Sequence, residues 1–240
     1  MISVCMATYN GEKYIKEQID SILHQLGTND ELIISDDGST DNTCNIVNSY
    51  SDTRIRLYHN NNLHGFRYNF ENALKHAKGE YIFLSDQDDI WLDDKVEKNV
   101  ELLHQYDVVV SDAIVTDKDL NILYPSFFSI NGCQTSLLGN VLHTSFYGAC
   151  MAFRKSILQL SIPLCKTKAI GHDQWIGYIG LLTGKVYFCK TPYILYRRLD
   201  SSVTNIGNIF TRSHRSVYCK IRDRIMMIYE IIKFLHNRIK

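Results

Sequence analysis

Short apolar runs alternate with longer amphipathic segments over the first 110 residues of the chain. The apolar runs, typical of buried strands, cover residues 2–8, 32–35, 55–58, 81–84 and 108–110. Between them, apolar residues at helical spacing predict helices over 14–26, 40–50, 66–78 and about 93–106. This alternation indicates an α/β fold with a mostly parallel central sheet and helices on both faces. Ligands bind such sheets at the carboxyl ends of the strands, so the residues that follow each strand are the first candidates for chemistry.

The second half of the chain has a less regular pattern. Residues 121–142 have few strong features and are predicted to form a loop-rich excursion. Strands are predicted over 147–153, 185–189 and 193–197, and helices over 155–160 and 172–182. Because no linker rich in Pro, Gly or Ser interrupts the chain, we predict one domain over 1–210 with two halves, 1–110 and 111–210. A terminal helix over 211–240 follows it.

The composition is that of a globular protein and disfavours two classes of partner or location. Apolar residues make up 45% and charged residues 22%, and Lys plus Arg equals Asp plus Glu at 26 each. A nucleic-acid-binding protein usually has a basic excess, so no nucleic-acid partner is expected. The N-terminus lacks the features of a signal peptide, and no apolar run is long enough to span a bilayer. The seven cysteines contain no CxxC pair, which favours reduced thiols in a cytoplasmic protein over a metal or disulfide framework.

The C-terminal segment, residues 212–240, differs from the rest of the chain in charge. It carries eight Lys and Arg residues against two acids, although the whole chain has no net charge. Apolar residues recur at helical spacing from Ile221 to Leu235, so the segment is predicted to be a basic amphipathic helix. Such a helix packs on its own domain or on a second subunit of a homodimer, or it lies on an anionic membrane surface. The sequence leaves these alternatives open.

Acidic residues follow the second and the fourth predicted strands. The second strand ends in Asp36-Asp37-Gly-Ser, and the fourth in Asp86-Gln-Asp88-Asp89-Ile-Trp. Any one of these segments alone would be explained as a turn, since Asp and Gly are common turn residues. Several carboxylates at one edge of a sheet, however, repel one another unless a cation joins them. Mg²⁺ or Mn²⁺ would meet that need, and the sequence has no Gly-rich phosphate loop that could hold a phosphate in its place.

Three motifs occur in the order Ala7-Thr-Tyr-Asn-Gly11, Asp36-Asp-Gly-Ser39 and Asp86-Gln-Asp-Asp-Ile-Trp91. This order resembles family 2 glycosyltransferases of the GT-A fold, and it is most similar to a bacterial rhamnosyltransferase-like subgroup with the metal motif DQDDIW. The likeness covers roughly residues 2–200 and is most specific over 2–95. The resemblance implies that the half 1–110 binds a nucleotide sugar and that the half 111–210 binds the acceptor.

The resemblance assigns donor-binding roles to residues of the first half. The segment that flanks the nucleotide base and ribose is matched by Thr8, Tyr9 and Asn10. Asp37 matches the carboxylate that accepts from N3–H of uracil or thymine, which implies a UDP- or dTDP-sugar donor. Asp86 matches the first acid of the DxD motif, near the ribose. Asp88 matches the second acid, the direct ligand of Mn²⁺ or Mg²⁺ on the diphosphate.

The second half supplies the acceptor site and the base in this resemblance. Asp173 matches the general base that takes the proton of the acceptor hydroxyl, although Asp at a helix start is also a capping residue. His172 either orients the acceptor or is an exposed residue at the helix start. Trp175 either stacks on a sugar or lies in the core. Gly148 either lets the backbone approach the sugars or allows close packing of a strand.

The segment Tyr196-Arg-Arg-Leu-Asp-Ser-Ser-Val-Thr204 resembles a motif that carries a His, a Gly and an Asn in the subgroup. Here Leu199, Asp200 and Ser202 stand in their places, so the contact of that His with the metal or diphosphate is in doubt. Arg197 or Arg198 is the candidate to take over part of the pyrophosphate charge, and Arg197 is the one assigned to the donor site.

Taken together, the resemblance implies an inverting, metal-dependent glycosyltransferase that moves a rhamnose-, glucose- or galactose-type sugar to a saccharide acceptor. A lipid-linked acceptor in cell-surface polysaccharide synthesis, at the inner face of a bacterial plasma membrane, would fit the basic terminal segment. Two alternatives remain at this point: a sugar-phosphate nucleotidyltransferase, and a non-catalytic protein that binds nucleotide sugars or carbohydrate.

Overall fold

The computed structural model describes residues 1–61, 63–199 and 216–239. Within these ranges one sheet of nine strands organises the chain. The strands are β1 (Ile2–Thr8), β2 (Glu31–Asp36), β3 (Ile55–His59), β4 (Tyr81–Asp86), β5 (Ile90–Trp91), β6 (Val108–Thr116), β7 (Ile122–Tyr124), β8 (Met151–Arg154) and β9 (Val186–Arg197). Their order is β3-β2-β1-β4-β8-β6-β9-β5, and β7 pairs with β6.

The sheet is parallel in its first part and mixed in its second. Strands β3, β2, β1 and β4 are parallel neighbours. Strand β8 then runs antiparallel to both β4 and β6, whereas β9 returns parallel to β6. The parallel register brings the carboxyl ends of β1, β2 and β4 to one edge, where Thr8 is level with Asp36 and Ala7 with Asp86. The α/β class is as predicted, but the sheet is mixed rather than mostly parallel.

Nine helices connect and cover the strands within the described ranges. They are α1 (Ile15–Leu23), α2 (Thr43–Asn48), α3 (Phe66–His76), α4 (Lys95–Leu103), α5 (Phe127–Asn131), α6 (Leu137–Leu142), α7 (Lys155–Ser161), α8 (His172–Thr183) and α9 (Val217–Ile239). Both faces of the central strands are covered, because β2 is buried at all six positions and β1 at five of seven. Continuous burial of this kind is typical of parallel strands between two helical layers.

The second half departs from the sequence prediction in three places. Residues 121–142, predicted to be loop-rich, contain β7, α5 and α6 in addition to loops. The strand predicted from residue 147 begins only at Met151, after a 3₁₀ turn over Gly148–Cys150. The two strands predicted over 185–189 and 193–197 are one strand, β9, whose register against β6 shifts near Asp112. Periodicity did not reveal this continuity, since Pro192 lies inside the strand.

Helix α9 packs on the second half of the domain. Its Phe234 ring lies edge-on to Trp175 of α8, with ring centroids 5.9 Å apart. Met227 and Ile231 are buried on the same side. The part of 212–240 that the structure describes is therefore a helix docked on its own domain. Over the described ranges, no helix combines the length and the apolarity that crossing a bilayer requires.

The structure has all seven cysteines as free thiols. Cys5, Cys150, Cys165 and Cys189 are buried. Burial raises the pKa of the Cys150 thiol to about 12 and that of Cys165 to about 11, so both stay protonated and behave as small core residues.

Candidate functional site

The ends of β1 and β2 are joined by a network of polar side chains. Asp36 closes a turn by accepting from the backbone N–H groups of Gly38 at 3.0 Å and Ser39 at 2.9 Å. Gly38 adopts φ of 85°, a left-handed conformation that glycine takes without steric cost. Asn10 accepts from Thr40 N–H at 2.8 Å, and its own N–H donates to Ser39 Oγ. The predicted donor segments after the two strands therefore form one surface.

Asp37 holds the loop that leads into α3. Its carboxylate accepts from Asn60 Nδ2 and from the backbone N–H of Gly65, both at 2.7 Å, and it lies 3.1 Å from His64 Nδ1. Gly65 has a positive φ of 113°, so a side chain at this position would be strained. Asp37 is thus fixed in orientation before any ligand arrives. A carboxylate has about four acceptor positions, so it retains capacity for a further donor.

Gln87 ties the fourth strand to the first, a role that the sequence analysis missed. Its amide oxygen accepts from Thr8 Oγ1 at 2.5 Å and from Tyr9 N–H at 2.9 Å, and its Nε2 donates to Tyr9 O at 3.0 Å. A Cβ atom at Gly11 would overlap the Gln87 amide, which explains the glycine there. The Tyr9 side chain stays 54% exposed and presents its ring to solvent above this bridge.

We expect Gln87→Ala to destabilise the fold by about 1–3 kcal/mol, because three partly exposed hydrogen bonds are lost. Urea unfolding followed by circular dichroism measures the change. Gln105→Ala, at the end of α4, is the matched control, since no side-chain hydrogen bond of Gln105 is recorded within the described residues. Equal stabilities of the two variants would contradict the bridging role.

Three carboxylates from two distant parts of the chain lie close enough to act on one another, and the space around them is called the cleft below. Asp86 ends β4, Asp88 lies two residues later, and Asp173 belongs to the first turn of α8. Burial and, to a smaller extent, the charges of Asp88 and Asp173 together raise the pKa of Asp86 to about 7. The predicted base and the predicted donor acids are therefore close enough to repel one another. This cluster carries excess negative charge at the carboxyl edge of the sheet.

Arg197 supports the loop of Asp88 from behind. Its Nε donates to Asp88 O at 2.9 Å, and its Nη2 contacts Glu17 Oε2 at 2.8 Å. The guanidinium also lies 4.5 Å from the Tyr14 ring centroid, and the side chain is only 4% exposed. The sequence analysis assigned Arg197 to the diphosphate. In this structure burial raises the pKa of Asp88, and the charge of Arg197 offsets only part of that shift. The donors of Arg197 hold the backbone of the loop.

Asp89 and Lys95 are two buried ionisable residues behind Asp86 and Asp88 that the sequence analysis also missed, and each acts on the pKa of the other without a direct ion pair among the described residues. Asp89 Oδ1 accepts from Arg197 N–H at 3.0 Å, whereas Oδ2 is buried without a hydrogen-bond partner among the described residues. Lys95 donates to Ala149 O at 3.2 Å and lies 5.0 Å from the Trp91 ring centroid. Burial lowers the pKa of Lys95 to about 8, and the charge of Asp89 opposes that shift. The pair connects the acidic loop to the 3₁₀ turn at Gly148.

His172 is buried, so its interpretation as an exposed helix-start residue was wrong. Its ring stacks on Phe70 at a centroid distance of 3.9 Å, and the side chain is 5% exposed. Neither ring nitrogen has a hydrogen-bond partner within the described part of the chain. Burial lowers the pKa of His172, although the charge of Asp173 opposes this effect, so the ring is neutral at pH 7. Unpartnered buried nitrogens at the cleft are suited to a ligand hydroxyl.

We expect the stability of the protein to fall as the pH drops below about 6.5, the ordinary pKa of histidine, partly because of His172. Its pKa is lower in the folded state, so the unfolded chain binds the proton more readily and acid favours unfolding. The loss of unfolding free energy between about pH 7.5 and pH 5.5 should be smaller in His172→Leu than in the parent. Urea titrations at both pH values test this, and the other eight histidines contribute equally to both proteins. An identical loss in the two would overturn it.

Gly148 and Asp173 lie next to His172. A Cβ atom built on Gly148 would come within 3.0 Å of His172 Nε2 and 3.8 Å of Asp173 Cβ. The small residue therefore leaves room for α8 to begin at the cleft. Asp173 Oδ1 accepts from Gln174 N–H at 2.8 Å, and in the described ranges no donor is recorded for Oδ2. That oxygen can accept a proton or hydrogen bond from a ligand.

Trp175 is a core residue, and its assignment to the acceptor site is corrected here. Its indole is 5% exposed, and Nε1 donates to Ser161 O of α7 at 3.0 Å. Phe234 of α9 packs against the ring from the other side. Trp175 lies two residues after Asp173, which places it on the opposite side of α8, where its buried ring connects α8 to α7 and α9.

The donor and acceptor candidates share one cleft. Gly65, which donates to Asp37, is followed by Phe66, whose ring lies 6.0 Å from that of His172. His172 is adjacent to Asp173, and the charge of Asp173 acts on Asp86. A continuous set of contacts therefore connects Asp37, the predicted partner of the nucleotide base, with Asp173, the predicted proton acceptor. Asp200 and Ser202, where the sequence departs from the subgroup motif, lie outside the described residues.

A second group of ligand types lies behind Asp37. Asp36, Cys44 and His59 place one ligand atom each within 4.8 Å of one another. Asp36 is already engaged by Gly38, Ser39 and the Cys44 thiol, and burial raises the pKa of that thiol to about 11. A protonated thiol and a fully hydrogen-bonded carboxylate are poor metal ligands. The closeness of Asp36, Cys44 and His59 is therefore explained by the turn after β2 and does not indicate a metal site.

The sequence matches the family model of glycosyl transferase family 2 over residues 3–160. A curated relative from Escherichia coli is a UDP-Glc:α-D-GlcNAc-diphosphoundecaprenol β-1,3-glucosyltransferase. It is 39% identical over 103 residues, which are 43% of this chain and 41% of that protein.

Two solved structures share the fold. Staphylococcus aureus TarS in complex with UDP-GlcNAc has a TM-score of 0.68 at 20% identity, over 87% of this chain and 61% of that one. A mannosyltransferase from Pyrobaculum calidifontis, in complex with GDP-Man and Mn²⁺, has a TM-score of 0.61 at 19% identity, over 86% and 58%. The chain spans less than two thirds of each of these three proteins. The likeness confirms the GT-A fold.

Proposed function

Because the chain belongs to glycosyl transferase family 2, a family of enzymes, we propose that it transfers a sugar from a UDP- or dTDP-sugar to a saccharide hydroxyl with inversion. The observation that carries the proposal is the meeting of Asp86, Asp88 and Asp173 in one cleft. Two of these acids end a strand of the half 1–110, which we assign to the donor. The third begins a helix of the half 111–210, which we assign to the acceptor.

The donor set fits a divalent cation. The cleft presents carboxylate oxygens, the ligands that Mg²⁺ and Mn²⁺ prefer. Asp86 lies beside the charges of Asp88 and Asp173, and no cation pairs with it among the described residues. Asp88 would hold the ion, with Asp86 next to it. When bound, the ion would act as a Lewis acid toward the diphosphate of the donor. The Pyrobaculum calidifontis mannosyltransferase, crystallised with Mn²⁺, supports this assignment.

The donor nucleotide is placed by the first half. The exposed ring of Tyr9 is available to stack on the base, and Asp37 can accept from its N3–H. Thr8 and Asn10 support these groups through their bonds to Gln87 and Thr40. Uracil and thymine share the N3–H donor, so both UDP- and dTDP-sugars satisfy this site. The UDP-GlcNAc complex of TarS and the UDP-Glc donor of the Escherichia coli relative favour UDP.

The acceptor reacts from the side of α8. Asp173 takes the proton of the acceptor hydroxyl as its oxygen forms the new bond to the anomeric carbon. The bond between that carbon and the phosphate oxygen breaks on the opposite face, and the nucleoside diphosphate leaves with the electron pair. A buried neutral His172 can hydrogen-bond the acceptor, and Gly148 leaves space for it. Positioning and electrostatics supply most of the rate in such a reaction.

We further propose that the acceptor is a lipid-linked saccharide of a bacterial cell surface, reached at the inner face of the membrane. The diphosphoundecaprenol acceptor of the Escherichia coli relative supports this. A nucleotidyltransferase would need a triphosphate-binding loop rich in Gly, which is absent after β1. A non-catalytic binding protein would have no need of Asp173 opposite the donor acids.

Thermal unfolding with a panel of nucleotide sugars tests the donor assignment. We expect UDP- or dTDP-sugars to raise the Tm with Mn²⁺ present and to do so much less with EDTA. Purine nucleotide sugars are the matched control, because they do not offer the pyrimidine N3–H to Asp37. Preferential stabilisation by a purine donor would overturn the assignment of Asp37. Release of nucleoside diphosphate only when a saccharide acceptor is added then distinguishes transfer from binding.

A further inference from the structure

Helix α9 has apolar residues on two opposite faces. One face, formed by Met227, Ile231 and Phe234, packs on the domain around Trp175. The other carries nine large apolar side chains that are exposed: Val217, Tyr218, Ile221, Ile225, Met226, Ile228, Tyr229, Ile232 and Leu235. Since an α-helix turns about 100° per residue, all of these except Met226 fall within about a third of the circumference, facing away from the domain. This group of eight is called the outward stripe below.

Basic residues line both edges of the outward stripe. When the residues are placed around the helix, Arg222 and Lys233 follow one edge and Arg224 follows the other, whereas Lys220 and Arg238 fall on the domain side near the two ends of the helix. The two acids of the helix, Asp223 and Glu230, lie on the domain side and are only 5% and 7% exposed. Arg222 and Lys233 contact these acids at 3.1 Å and 3.7 Å, yet the helix still carries an excess of three positive charges. An apolar stripe between two basic edges matches the interface of an anionic bilayer.

The neighbouring helix enlarges the apolar surface. Leu138 and Leu142 of α6 are 68% and 60% exposed. Arg224 Nη2 donates to Leu142 O at 2.5 Å, which fixes the end of α6 beside α9. Exposed apolar residues thus continue from one helix to the next, and so large a patch usually marks an interaction site.

We propose that the outward stripe of α9 docks the protein on the surface of an anionic bilayer, with the helix lying flat at the interface. A second copy of the chain fits this face less well. A symmetric pairing would place the basic edges of two α9 helices near each other, and the acids of the helix are buried on the domain side. Anionic headgroups supply the opposite charge along both edges.

Docking would bring the acceptor side of the cleft close to the membrane. Phe234 of α9 packs on Trp175, which lies two residues after Asp173 in the same helix. A saccharide carried by a membrane lipid would then reach the cleft without leaving the bilayer. This last point rests on the proposed function, whereas the docking itself does not.

Sedimentation with lipid vesicles tests the proposal on the full chain. We expect binding to vesicles of phosphatidylglycerol and phosphatidylcholine in equal parts, weak binding to pure phosphatidylcholine, and release by salt. The double variant Ile225→Ser/Ile232→Ser should weaken binding by about tenfold or more, because two inserted apolar side chains are lost. Ile122→Ser/Leu123→Ser on β7, 63% and 46% exposed in the parent, is the matched control and should bind as the parent does. Arg222→Gln/Lys233→Gln should reduce the preference for the anionic vesicles.

Three results would overturn the docking proposal. They are absence of vesicle binding by the parent, equal binding by the stripe variant, and a dimer in solution that Ile225→Ser/Ile232→Ser dissociates, as measured by analytical ultracentrifugation. Release of nucleoside diphosphate with a soluble saccharide acceptor should be unchanged in the stripe variant. If vesicle binding follows the expected pattern but no nucleotide sugar is turned over, the proposed reaction fails and the docking stands.

Discussion

Asp173→Asn should lower the rate of sugar transfer by about 10²–10⁴-fold and leave donor binding nearly unchanged, because an amide cannot take the proton of the acceptor. Asn keeps the size of the side chain, and its Oδ1 can still accept from Gln174 N–H at the start of α8. The loss should therefore come from chemistry and not from misfolding. Nucleoside diphosphate release with acceptor present measures the rate, and the donor-induced rise in Tm measures binding.

The exposed Asp119, in the turn between β6 and β7, offers a matched control for this change. Asp119→Asn removes the same charge outside the cleft and should keep the parental rate, since Asp119 is exposed and pairs, among the described residues, with Lys118 alone at 3.9 Å. Near-full transfer by Asp173→Asn would show that another group is the base. Equal loss in both variants would point to a general effect of charge.

Asp88→Asn should abolish metal-dependent turnover, with a fall of about 10²–10³-fold or more, because a neutral amide is a much weaker ligand for Mg²⁺ or Mn²⁺. The backbone of the loop should persist, since Arg197 bonds to Asp88 O and not to its carboxylate. The rise in Tm with donor and Mn²⁺ together should also disappear. A Mn²⁺ titration of activity and of Tm measures both effects.

The two large predictions differ in their readouts. Asp88→Asn should lose the metal response of donor binding, whereas Asp173→Asn should keep it. Asp119→Asn again serves as the control. If Asp88→Asn retained the parental Mn²⁺ dependence, the assignment of the metal ligand would be wrong. If it lost activity without any change in the Mn²⁺ titration of Tm, Asp88 would act on a step after donor binding.

The first half of the fold was readable from sequence because its signals are local. The apolar runs at residues 2–8 and 81–84 fall within β1 and β4, and the acids that follow lie at the shared edge. Once strands and helices are seen to alternate, right-handed connections between neighbouring parallel strands leave few possible topologies for β1 to β4. The second half depends on long-range pairing, such as β8 inserted antiparallel between β4 and β6. No local pattern encodes that insertion.

The acidic candidates of the site were named from the sequence, but the residues that hold them in position were not. Motif spacing pointed to Asp86 and Asp88, and the family resemblance pointed to Asp173. A hydrogen bond from a side chain to a distant backbone group cannot be recognised from spacing. Gln87 was seen only as the residue between two acids, although it bridges to Tyr9. Lys95 resembles an ordinary exposed residue at a helix start, yet it is among the most buried side chains. The position of Lys95 directly after several acidic residues is the one sequence feature that could have suggested its interaction with Asp89.

The cleft can be completed only after strand β9 has formed. Its Leu195 pairs with Ile90, and Arg197 N–H donates to Asp89, so the acidic loop obtains these backbone partners from residues more than a hundred positions later. A nascent chain that has emerged only as far as β8 would have its parallel strands but a loosely held Asp88. On the proposed function, we therefore expect productive donor binding only after β9, the last strand of the sheet, has been synthesised.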